Sequence, residues 1–130
     1  MAIDKRVLDV LKKVASKQFE DRKGLITPEE LFEPFGDLFP PDSVLDTDLP
    51  HHRDILEGML KEISAAEHKM GRPLISAVCV SRDHKPGKWF YDVGKNLGLL
   101  KPDASPLGEY AFYVKELDKV YRHWARRKMA

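Results

Sequence analysis

Seven consecutive uncharged residues, LISAVCV at positions 74–80, stand in a chain in which one residue in three is charged. Gly71 and Pro73 lie just before the run and the turn-prone stretch SRDHKPG at 81–87 just after it, so helix does not extend into it from either side. Leu74, Ser76, Val78 and Val80 alternate with Ile75, Ala77 and Cys79. Both sets are largely apolar, which predicts a strand over about residues 74–81, covered on both faces rather than half-exposed to water. A lone strand cannot satisfy its own N–H and C=O groups. Its partner is therefore expected in a hairpin with residues 88–93, in an irregular part of residues 38–50, or in the same strand of a second chain.

Most of the rest of the chain reads as helix, apart from the Pro/Asp-rich stretch FPPDSVLDTDLP at 39–50, which reads as an ordered surface connection or as a segment that orders against a partner. Val7, Leu8, Val10, Leu11, Val14, Ala15 and Phe19 recur at three and four with Lys12, Lys13 and Lys17 opposite, an amphipathic pattern. Thr27, Pro28 and Glu30 form a capping-box signature before Leu31 and Phe32, and Pro34 and Gly36 end that helix early. Ile55, Leu56, Met59, Leu60, Ile63, Ala66 and Met70 make the longest stripe, closed by Gly71. The segment KWFYDVGKNLG at 88–98 favours helix, with Phe90, Val93 and Leu97 on one face and Gly98 as its stop, although Trp89, Tyr91 and Val93 also alternate as a strand would. Ser105 and Pro106 open a last helix carrying Tyr110, Val114, Leu117, Tyr121 and Trp124. The expected architecture is α+β: one helix-dominated domain over residues 1–130 with a minimal sheet. In a homodimer, Tyr110, Tyr113, Tyr121 and Trp124 would suit an aromatic-rich interface.

With 130 residues the chain fits one domain large enough for a core of its own. Cys79 is the only cysteine, which rules out an internal disulfide and any cysteine-based zinc site, and a cysteine within an apolar run reads as core. The charged N-terminal stretch is a helix and not a signal peptide, and no apolar run approaches the ~20 residues a bilayer demands. The expected location is the cytoplasm, with no membrane partner and no cofactor. Net charge is only +1, but it is unevenly distributed. Residues 27–57 hold nine acids and one base, whereas residues 115–128 hold six bases and two acids. These two regions are expected to face each other within the fold or across a dimer, or to meet partners separately.

Four constellations carry chemistry. Glu62, Glu67 and His68 lie on the long helix with Arg72 just beyond it; carboxylates beside an arginine could perform acid–base work, and Glu62, Glu67 and Arg72 are the candidate catalytic set. Such charges equally serve to keep a helix solvated. Arg82, Asp83, His84 and Lys85 include the Asp-x-Lys spacing of metal-dependent nucleases, but no preceding strand supplies a second acid, so a solvated turn is the better reading. Asp46, Asp48, His51, His52 and Asp54 are metal-ligand types without helical or strand ligand spacing, and no metal site is assigned. Lys119, Arg122, Arg126, Arg127 and Lys128 are candidate contacts for nucleic acid or an acidic partner, against the simpler role of cations stabilising a helix C-terminus.

Across residues 62–98, the run Glu62, Glu67, Gly71-Arg72-Pro73, Ser76-Ala77-Val78, Pro86-Gly87, Phe90 and Leu97-Gly98 resembles a segment of small uncharacterised bacterial proteins, some linked to mobile elements or defence regions. The resemblance implies helix–strand–helix order and no particular activity. The leading expectation is a non-enzymatic interaction or accessory module, with a protein partner or itself. One alternative is a winged-helix-like DNA-binding protein with residues 74–93 as the wing; another is a small metal-dependent nuclease or hydrolase.

Overall fold

The computed structural model describes residues 3–17, 24–39 and 44–125. Its elements are α1 (Lys5–Ala15), α2 (Pro28–Phe32), a 3-10 turn (Glu33–Leu38), α3 (Pro50–Lys69), a second 3-10 turn (Ile75–Val78), α4 (Lys88–Asn96) and α5 (Pro106–Ala125). The fold is all-α, not α+β. Among the described residues the only extended pairing is a single parallel bridge between Ile26 and Cys79.

Local chemistry accounts for the helix ends. The Asp4 carboxylate accepts the Arg6 N–H at 2.9 Å to open α1. Thr27 and Glu30 form the reciprocal capping box of α2, with Pro28 in its first turn. Gly71 and Gly98 follow α3 and α4 with φ of +77° and +75°, the left-handed conformation in which glycine escapes the Cβ penalty. The Ser105 hydroxyl accepts the Gly108 N–H at 3.1 Å at the start of α5.

The expected strand over 74–81 does not form. Residues 75–78 coil into a 3-10 turn, and residues 88–93 are helical, so no hairpin joins them. Burial is nevertheless what the sequence demanded: all seven residues from Leu74 to Val80 are 2% exposed or less, with α1, α3 and α5 packed around them. The backbone groups find partners other than a neighbouring strand. The Leu74 N–H donates to Glu116 Oε2 of α5 at 3.0 Å, and the Ser76 N–H to Ser64 Oγ of α3 at 3.3 Å. The Ser76 hydroxyl donates to the Leu60 carbonyl at 2.9 Å. The Ile26 N–H donates to Val78 O and the Val80 N–H to Ile26 O, each at 2.9 Å. Two helix side chains and the backbone of Ile26 thus supply the hydrogen bonds that a sheet would have supplied, so no full strand is needed.

Aromatic packing holds α4 onto α5. Phe90 is fully buried, with ring centroids 5.6 Å from Phe112 and 5.7 Å from Tyr113. The proposed aromatic interface is not available as a surface: Tyr113 and Trp124 belong to the core and Tyr121 is half-buried, which leaves Tyr110 exposed. The Tyr121 hydroxyl donates to the Gly24 carbonyl at 2.6 Å. Among the described residues no helix is long and apolar enough to cross a membrane.

Candidate functional site

A cleft of about 480 Å³ opens where the C-terminal end of α3 meets the second half of α5. Its α3 side is made by His68, Gly71, Arg72 and Pro73, and its α5 side by Glu116, Lys119, Arg122 and His123, with Leu99 at the edge. Two groups read separately in the sequence, around Arg72 and around Lys119 and Arg122, therefore share one wall. Gly71 leaves that wall open, since a Cβ there would meet nothing within 4 Å.

Each cation is held by a carboxylate. Arg72 donates from Nε and Nη2 to the two oxygens of Glu67, the second contact at 3.2 Å. Glu67 is buried, so the Arg72 charge has a fixed seat, and the carboxylate raises the guanidinium above its ordinary pKa. Lys119 Nζ lies 3.4 Å from Glu116 Oε1, and Arg122 Nε lies 2.9 Å from Asp118 Oδ2 on the exposed surface. Of those three carboxylates, only Glu116 lines the cleft. The wall therefore carries three cations, each with one carboxylate partner, and two imidazoles; Lys119 and Arg122 keep most of their side chains in solvent, at 66% and 77% exposure.

The other candidates fall elsewhere. Glu62 is on α3 but does not line the cleft, because five residues of helix turn it about 140° from Glu67. The set Glu62, Glu67 and Arg72 is thus split, with Glu67 engaged by Arg72. Arg82, Asp83, His84 and Lys85 form an exposed closed turn, in which the Ser81 N–H donates to Lys85 O and the His84 N–H to Ser81 O, both at 2.8 Å. His52 is fully buried, and its Nδ1 accepts the Asp46 N–H at 3.0 Å. Asp46 Oδ1 accepts the Asp48 N–H at 3.0 Å. That constellation fixes the entry to α3, and no group of three His, Cys, Asp or Glu among the described residues is arranged to hold a metal. Arg126, Arg127 and Lys128 lie outside the described residues. Cys79 is buried, which pushes its thiol pKa up and away from thiolate chemistry.

Sequence reasoning passed over Glu116 and His123. Glu116 carried a signal: it sits three residues after Tyr113 and four before Val120, on the face that α5 buries. A carboxylate on the apolar face of a helix needs a buried donor, here the Leu74 N–H. No protein-family model, curated protein or solved structure matches this chain.

Proposed function

We propose that the protein is a non-enzymatic interaction module that grips an acidic segment of a protein partner in the cleft between α3 and α5. The observation that carries this reading is the convergence of Arg72, Lys119 and Arg122 on one concave wall. A concave site with an apolar edge at Pro73 and Leu99, on a molecule of net charge +1, suits a short acidic peptide segment better than the extended phosphate track of a duplex. Glu67 and Glu116 are both engaged in buried structural contacts, which suits binding rather than proton transfer. The cytoplasmic setting rests on the charged, helical reading of the N-terminal stretch, and the bacterial defence or mobile-element system on the resemblance over residues 62–98.

Titration with a fluorescent glutamate-rich peptide tests the reading. Wild-type protein is expected to bind it in a salt-dependent manner, and Lys119→Glu combined with Arg122→Glu to weaken binding at least about tenfold. Tighter binding to duplex DNA than to the peptide, or metal-dependent cleavage lost in Glu67→Ala, would overturn it.

A further inference from the structure

We propose that the acidic segment taken by the cleft belongs to a second copy of this chain, an inference that rests on the reading of the cleft as an acid-binding surface. The opposite charge lies at the far end of the same molecule. Glu29 of α2, Glu33 and Asp46 line one surface beside Leu45 and Thr47. This acidic face adjoins the start of α3, where the Arg53 guanidinium donates to the Thr47 carbonyl at 2.7 Å. Among the described residues, none of those three acids forms an ion pair with Lys or Arg.

The cationic cleft sits at the other end of α3, at His68, Gly71 and Arg72. A helix of 20 residues places the two ends about 30 Å apart. At physiological ionic strength that separation is several times the Debye length of about 8 Å, so the acidic face and the cleft of one molecule cannot neutralise each other. They can do so between molecules. Lys119 and Arg122 are 66% and 77% exposed and hold their own carboxylates only as surface pairs, weak enough to be exchanged for Glu29, Glu33 and Asp46 of another copy, and a net charge of +1 leaves almost no overall repulsion between copies. The cleft is the docking site and the acidic face its occupant, so each contact joins unlike surfaces of two identical chains.

Sedimentation velocity across a concentration series tests this with two variants at exposed positions: Lys119→Glu with Arg122→Glu at the cleft, and Glu29→Lys with Glu33→Lys at the acidic face, both checked for native circular dichroism. Wild-type mass is expected to rise with concentration at low ionic strength and to return to monomer in about 0.5 M salt, where the Debye length falls to ~4 Å. Each variant alone is expected to stay monomeric, and an equimolar mixture of the two to associate again, because each restores the charge the other lacks. A wild-type protein that stays monomeric throughout, single variants that still associate, or a mixture that does not would each overturn the proposal. Binding of the glutamate-rich peptide by a strictly monomeric wild type sinks the second copy but leaves the acid-binding cleft standing; failure of both sinks both.

Discussion

The Glu116 carboxylate of α5 accepts the backbone N–H of Leu74 at 3.0 Å, fastening the last helix to the buried centre of the molecule. Both partners are shielded from water, Leu74 at 0% and Glu116 at 4% exposure. Glu116→Ala leaves a buried donor unsatisfied and is expected to destabilise the fold by about 2 kcal/mol. Glu116→Gln keeps an oxygen acceptor and should cost less. Urea unfolding separates the two, read as a lower midpoint at unchanged slope.

Arg72 and Glu67 offer a test that divides stability from binding. Arg72→Ala strands a buried carboxylate, with an expected loss of about 2 kcal/mol. Replacing both partners, Arg72→Met with Glu67→Leu, is expected to recover most of that loss, because apolar side chains remove the uncompensated charge. Acidic-peptide affinity should stay low in the double variant. Thermal unfolding and peptide titration on the same three proteins read the two effects apart.

Cys79 is expected to resist thiol reagents in the native state. Its side chain is buried and its pKa raised by desolvation, so modification requires opening of the core. The labelling rate should rise with urea along with the unfolded fraction. Rapid stoichiometric labelling of native protein would contradict the buried placement.

Alkaline pH should act through Tyr121. Burial pushes its phenol up to about 12 from an ordinary value of 10, and the protonated hydroxyl donates to the Gly24 carbonyl. A raised pKa contributes stability that is fully present below pH 10 and lost as pH rises through about 12. Tyr121→Phe is expected to flatten that part of the loss in a melting-temperature series across the window. Gly24→Ala attacks the same contact from the other side: φ there is +82° and a Cβ would lie 2.7 Å from the Tyr121 ring. It is expected to destabilise at all pH values, by about 1 kcal/mol or more.

The helices were legible because their signals are local. Thr27 with Glu30, Gly71, Gly98 and Ser105 with Pro106 each mark a boundary through contacts within a few residues. The segment from Leu74 to Val80 showed its burial but not its backbone shape, because a short apolar run looks alike in strand and in coil. What decided the shape came from residues far away in sequence: Ser64, Glu116 and Ile26 take the hydrogen bonds. The cleft was half legible for the same reason. Arg72, Lys119 and Arg122 stand out as cations, but their meeting depends on how α5 crosses the end of α3.

The placement of residues 74–80 bears on how the chain is made. During synthesis this seven-residue apolar stretch leaves the ribosome well before α5, whose residues begin at Pro106 and provide one of its three covers. Until that helix arrives, a β-prone, uncharged segment stands partly open, the kind that zips against its like in other unfinished chains. Nascent chains that have released residues 74–80 but not yet α5 are thus the species that should engage holding chaperones. Completion of α5, rather than formation of the earlier helices, marks the point at which the protein becomes safe from its own centre.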